Sequence, residues 1–368
     1  MNATTQPVSS PLQALAALGQ SVWLDYIKRD LILGGGLQRL VDEGITGLTS
    51  NPSIFEKAIA AGGEYDDLIR PLAAQGLDPK TVYERLAVRD IRDVADVLRP
   101  VYERTAARDG YVSLEVSPHL AHDTQGTVAE ARRLWGEVDR PNLMIKVPAT
   151  REGMPAIRRL IAEGINVNVT LLFALDAYEQ AALAYIEGLE QSARAGVALG
   201  GVASVASVFV SRVDTAVDAR LTGDAAALAG RAAIANTKLV YQRYLDLFSG
   251  PRWDALAAKG ARTQRPLWGS TGTKNPAYSD VLYVDELIGP DTVNTLPPAT
   301  LDAFREHGRP RASLTEDVDG ARRLPAALQA AGIDMSAVTD QLLAEGVKLF
   351  ADAFDKLLAA VARRSVGG

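Results

Sequence analysis

Ile165-Asn-Val-Asn-Val-Thr-Leu171 alternates apolar and polar side chains with a period of two, and Asp176 to Ala195 follows it with the spacing of an amphipathic helix. The same pair recurs along the chain. Tyr111-Val-Ser-Leu-Glu-Val-Ser117 precedes a helical stretch at Thr127 to Trp135, and Leu143-Met-Ile-Lys-Val-Pro-Ala149 precedes one at Met154 to Glu163. Working outward, further strands are expected at Ser21 to Ile27, Gly47 to Asn51, Val202 to Val210, Pro266 to Thr271 and Thr292 to Leu296. Helices fall at Leu37 to Asp42 and Pro79 to Arg108. A helix between consecutive strands forces parallel pairing with right-handed crossovers. Eight such units predict an α/β fold, a closed (β/α)8 TIM barrel, with a doubly wound open sheet as the competing architecture.

Residues 1–20 read as a loose polar tail, Met1 to Ser10, and a first helix near Pro11 to Leu18. Residues 21–368 read as one barrel domain with no linker inside it. Two stretches, Asp214 to Ala258 and Leu301 to Val366, exceed what one crossover needs and are expected as extra helices packed outside the barrel.

The polar parity of the strands is informative. In a parallel sheet covered by helices, strands are usually apolar on both faces. Here Ser113, Glu115 and Ser117 oppose Val112, Leu114 and Val116, and Asn166, Asn168 and Thr170 oppose Ile165, Val167 and Val169. Asp25 and Lys146 likewise stand opposite apolar neighbours. An antiparallel sheet with one wet face would explain such alternation, but the intervening helices argue against hairpins. The apolar parity then faces the helices, and Asp25, Glu115, Lys146, Asn168 and Thr170 share the space around the barrel axis.

Charges there cost several kcal/mol each unless paired, on the order of magnitude of ion desolvation. A buried ion pair that only holds the barrel together is one reading. Charges arriving from different strands, as in barrel active sites, favour chemistry. Taking a lysine out of water favours its nucleophilic amine, which attacks carbonyls, and the resulting Schiff base accepts the electrons of a breaking carbon–carbon bond. Asp25 and Glu115 are the acid/base groups at hand. His119 and His122, with Asp123, have spacing that could hold a metal, but they lie past the third strand in loop sequence; no metal site is expected. A glycosidase carboxylate pair made of Asp25 and Glu115 would leave Lys146 unexplained. Ser207, Arg212 and Gly269-Ser-Thr-Gly-Thr-Lys-Asn275 stand near the ends of the sixth and seventh strands, where barrel enzymes hold phosphate. Ser207, Arg212, Ser270 and Lys274 are the phosphate candidates.

Composition bounds the rest. The 368 residues carry 39 basic and 45 acidic side chains, a net charge of −6, which disfavours nucleic acid and anionic lipid as partners. The absence of cysteine excludes disulfides, thiolate zinc sites and a cysteine nucleophile. The longest uncharged apolar stretch, between Arg194 and Arg212, is poor for a membrane span. The first cation is Lys28, so no basic region opens a secretory signal, and a soluble, cytoplasmic protein is expected.

Three runs in register, Gly47-Leu-Thr-Ser-Asn-Pro-Ser-Ile-Phe55, Leu143-Met-Ile-Lys-Val-Pro-Ala-Thr150 and Gly164-Ile-Asn-Val-Asn-Val-Thr-Leu-Leu-Phe173, resemble the transaldolase family across about Trp23 to Leu296, and the length resembles its long bacterial form. The resemblance implies a class I aldolase-type barrel without cofactor. Such an enzyme moves a dihydroxyacetone unit from sedoheptulose 7-phosphate or fructose 6-phosphate to glyceraldehyde 3-phosphate or erythrose 4-phosphate, in the pentose phosphate pathway. It implies Lys146 as the Schiff-base lysine and Asp25 as the acid/base at the C4 hydroxyl. Glu115 would act through a water that Thr170 helps to place, and Asn51 and Asn168 would hold substrate hydroxyls. Ser207, Arg212 and Ser270 would serve phosphate. Where short forms carry Ser-x-Arg-Asn, this chain has Ser270-Thr-Gly-Thr-Lys-Asn275, so Lys274 takes the arginine's place as a point charge. A fructose-6-phosphate aldolase and a catalytically silent sugar-phosphate binding barrel are the alternatives.

Overall fold

A computed structural model describes residues 10–61 and 63–366. Most of the expected tail, residues 1–9, lies outside the described residues. Eight strands, β1 (Gln20–Asp25), β2 (Gly47–Thr49), β3 (Val112–Glu115), β4 (Leu143–Pro148), β5 (Val167–Leu172), β6 (Ser204–Phe209), β7 (Arg265–Gly269) and β8 (Thr292–Leu296), close a parallel barrel in chain order, with β8 against β1. The open doubly wound sheet is thereby excluded. The first helix spans Pro11–Ala17, capped by Ser10, whose hydroxyl accepts from the Gln13 amide.

The two parities of the strands separate in three dimensions. Val112, Leu114, Ile145, Val147, Val167 and Val169 pack into the large core between barrel and helices. Trp23, Tyr111, Met144, Val205, Leu267 and Val293 form a separate apolar plug inside the barrel. The plug fills the N-terminal half, and Asp25, Ser113, Lys146, Ser207 and Thr295, two residues further along, belong to the polar layer above it. Gly47 is part of this design: a Cβ there would lie 2.5 Å from the Trp23 indole. Only glycine lets β2 pass so close to that ring.

Strand ends and helix breaks depart from expectation where the backbone turns left-handed. The helix begun at Pro79, with Asp78 accepting from the amides of Lys80 and Thr81, ends at Arg104 rather than Arg108, because Ala106 and Ala107 take φ of 50° and 61°. Asp214 to Ala258 divides into Ser211–Asp218, Ala232–Leu247 and Gly250–Ala257, broken at Gly223, Gly230 and Gly250, all with positive φ. In β5 the pairing register with β6 shifts between Val169 and Leu172, and Leu171 sits at φ 61°. This bulge tilts the end of β5.

Leu301 to Val366 divides into Pro298–His307, Val318–Ala330 and Met335–Val366. Val318–Ala330 packs on Ala232–Leu247 on the outer wall. Met335–Val366 crosses the C-terminal mouth of the barrel, touching Pro52–Ala61, the turn after β3 and the end of β5. A Cβ at its Gly346 would stand 2.9 Å from Leu171, so the helix rests on the bulge.

Candidate active site

Lys146 and Glu115 occupy paired positions on β4 and β3, and Lys146 is likewise paired with Asn168 on β5. All three side chains are buried in the polar layer. The Lys146 ammonium donates to the Ser50 carbonyl at 3.3 Å and stands 3.9 Å from Glu115 Oε2. The Phe350 ring, from the mouth-crossing helix, lies 5.8 Å from Nζ, within cation–π range.

The two acids have different surroundings. Asp25, half-buried at the end of β1, accepts from Thr49 Oγ1 at 2.8 Å, and Thr49 also meets Thr295 Oγ1 at 2.7 Å. Burial raises the Asp25 carboxyl, while Lys146, the Thr49 hydroxyl and Lys274 pull it down. Burial pushes Glu115 up to about 7, against the pull of Lys146 and with a push from Asp25. The 3.9 Å ion pair and this raised value point in opposite directions. Desolvation wins, because neither Glu115 oxygen has a hydrogen-bond partner among the described residues. Thr170 Oγ1 is likewise buried without a partner.

Asn168 is held from both sides, donating to Ser113 Oγ at 3.0 Å and accepting from Ser207 Oγ at 2.7 Å. Ser207, expected near phosphate, therefore lies in the polar layer and fixes the orientation of an amide. Asn51 lies just beyond β2, where its Oδ1 accepts from the Ile54 amide at the start of Pro52–Ala61.

Arg212 opens Ser211–Asp218, with its guanidinium 5.7 Å over the Phe209 ring. Burial holds it below the usual arginine range, and the nearby Glu345 charge opposes that. The β6 and β7 loops are tied together by Ser211 Oγ and Ser270 Oγ at 2.9 Å and by the Ser211 amide on the Ser270 carbonyl. Ser270 holds φ 54°. Lys274 is exposed on that loop, with its charge felt at Asp25. Lys146, Glu115, Asp25, Asn168 and Thr170 thus share one chamber, with Arg212 and Ser270 at its β6–β7 rim.

His119 and His122 do not converge: the first meets Asp355 at 2.8 Å and the second Glu152 at 3.1 Å. Sequence reasoning missed Thr49, Ser50, Ser113 and Phe350. The first two stand inside the quoted Gly47–Phe55 run, and Ser113 shares the parity of Glu115; for Phe350 the sequence carried no signal. Spaces of about 380 Å3 beside Leu175–Arg194 and about 470 Å3 at the opposite mouth are not lined by Lys146. The chemistry of converging groups singles out this chamber.

Residues 22–361 match the family described as Transaldolase/Fructose-6-phosphate aldolase. The chain is 52% identical over 357 residues to a transaldolase of Parafrankia sp. (strain EAN1pec), covering 95% of this chain and 97% of that one. It is 51% identical over 367 residues to a transaldolase of Thermobifida fusca (strain YX), covering 97% and 99%. A transaldolase of Frankia alni is 49% identical over 97% of this chain and 98% of its own.

Proposed function

Given that the chain belongs to the transaldolase/fructose-6-phosphate aldolase family, we propose that Lys146 carries its reaction as a Schiff base, with Asp25 and Glu115 dividing the proton transfers. The enzyme is a transferase, a transaldolase acting on sugar phosphates. The observation that carries the residue assignment is the Lys146 amine, enclosed on the barrel axis with Glu115 beside it and Phe350 above it.

In this reading Nζ attacks C2 of the ketose phosphate, and the carbinolamine loses water to give a protonated imine. Asp25 takes the proton of the C4 hydroxyl. The C3–C4 bond then breaks, the aldose phosphate leaves, and the imine receives the electron pair as an enamine. An acceptor aldehyde takes the held dihydroxyacetone unit by the reverse steps. Glu115 hands protons through a water shared with Thr170; neither Glu115 carboxyl oxygen nor Thr170 Oγ1 has a hydrogen-bond partner among the described residues. Asn168 and Asn51 hold substrate hydroxyls. Arg212, Ser270 and Lys274 take the phosphate, and Ser207 acts through Asn168. Donors are sedoheptulose 7-phosphate or fructose 6-phosphate, and acceptors glyceraldehyde 3-phosphate or erythrose 4-phosphate. The reading places the enzyme in the cytoplasm; among the described residues no helix is long and apolar enough to cross a membrane.

Borohydride reduction with fructose 6-phosphate, followed by peptide mass analysis, tests the assignment. A three-carbon adduct on Lys146 is expected, and none in Lys146→Ala. An adduct on another lysine, or activity surviving Lys146→Ala, overturns it.

A further inference from the structure

The opposite mouth of the barrel, at the N-terminal ends of the strands, holds a cavity of about 470 Å3 whose lining includes Tyr111, Met144 and Val205, the three arginines Arg108, Arg262 and Arg265, and Asp291. Two of these cations have acids: Arg108 meets Asp291 at 2.6 Å, and Arg265 stands 3.5 Å from Asp109. Arg265 is further committed to Ser21 Oγ and to the Arg108 carbonyl. Half-buried Arg262 donates one N–H to the Ala107 carbonyl and has no carboxylate partner among the described residues.

The net charge of the chain is −6, yet three like charges gather here against two acids. The uncompensated charge is that of Arg262, which an anion would neutralise. The cavity wall is also held in an unusual shape. Ala106 and Ala107 both adopt left-handed φ, and the Ala107 carbonyl accepts from Tyr111 Oη at 2.7 Å as well as from Arg262. Strain of this kind clusters where a binding surface is shaped. The N-terminal face of such barrels ordinarily serves stability. Bracing explains one contact of Arg262; it explains neither the cavity nor the rest of the guanidinium fork.

We propose that this cavity is a second ligand site, which takes a small phosphate monoester. Arg262 grips the phosphate in the bidentate manner suited to guanidinium, and Met144, Ala203 and Val205 meet the apolar body. The proposal does not depend on the chemistry assigned to Lys146.

Calorimetric titration with inorganic phosphate tests it in Arg212→Ala protein, where the phosphate candidate at the other mouth is disabled. Binding is expected there, and at least tenfold weaker binding once Arg262→Ala is added. Equal affinity with and without Arg262→Ala overturns the proposal whatever Arg212 does, as does the absence of binding in both. Should the double variant fail to fold, phenylglyoxal modification of the unaltered protein gives the answer by peptide mass. Phosphate should slow modification at Arg262, and unchanged labelling there overturns the site.

Discussion

Replacing Glu115 with glutamine tests whether burial or the neighbouring lysine governs this carboxyl. Opposite charges 3.9 Å apart attract by about 4 kcal/mol at an effective dielectric constant of about 20. Removing a carboxylate from water costs several kcal/mol, and no hydrogen bond to either Glu115 oxygen among the described residues offsets it. The balance leaves the folded carboxyl at about 7, against 4.5 for a free glutamate. Between those values the folded state binds more protons than the unfolded one. The stability that Glu115 contributes is therefore complete below 4.5 and is lost as the pH rises through 7. At about 1.4 kcal/mol per pH unit the loss amounts to about 3 kcal/mol.

The amide of Glu115→Gln does not titrate. The difference in unfolding free energy between variant and parent should therefore move in the variant's favour by about 3 kcal/mol between pH 4.5 and 7.5. Asp25 titrates in both proteins, and its direct contribution largely cancels. Urea unfolding at a series of pH values, followed by the fluorescence of buried Trp23 and Trp268, measures this difference. A flat difference, or one that moves the other way, would mean an ionised Glu115 locked to Lys146. A carboxyl in that state holds no proton to pass on at neutral pH, and the role assigned to it would fail.

Arg212→Ala should weaken phosphorylated substrates by tenfold to a hundredfold, the range of a lost charge-assisted hydrogen bond of about 1.5–3 kcal/mol, with little effect on dihydroxyacetone. Steady-state KM values for both kinds of substrate read this, and equal losses would remove Arg212 from the phosphate site. Gly47→Ala places a methyl 2.5 Å from the fully buried Trp23 indole and should lower stability by about 1–3 kcal/mol through overpacking. An unchanged urea midpoint would show that β2 does not pass against the Trp23 ring as described.

The barrel and its inner face were legible because two periodicities agreed. Strand parity separated Val112, Leu114 and Val116 from Ser113 and Glu115, and the helices between strands decided which parity faced the axis. Lys146 and Asn168 follow from the same rule, since side chains two apart share a face. The rule stops where strands end. Asn51 was read as strand but caps a helix, and Leu171 leaves the regular register at a bulge that no apolar pattern announces. Ser207 was placed on the correct strand; its bond to Asn168 depends on the β5–β6 register, which pairs residues far apart in the chain. The long C-terminal helix shows its apolar stripe in the sequence, yet the stripe is silent about which surface it covers. Phe350 over Lys146 was invisible for that reason.

One chamber thus holds two carboxyls that the fold treats differently. Both are raised by burial, but three influences lower Asp25, namely Lys146, the Thr49 hydroxyl and Lys274, whereas Glu115 has only Lys146 in its favour and is pushed further by Asp25 itself. Both carboxyls therefore favour the neutral form more than a free acid does, and Glu115, pushed up to about 7, keeps a proton to near neutrality. A Glu115 carboxyl near 7 suits the proposed division of labour: it can supply a proton when the carbinolamine loses water, while Asp25, bonded by the Thr49 hydroxyl, takes the hydroxyl proton during bond cleavage. Part of the difference originates in β2. Thr49 bonds Asp25 and sits within the Gly47-Leu-Thr run that glycine allows to pass beside Trp23, so the packing of the apolar plug below fixes the asymmetry of the acids above.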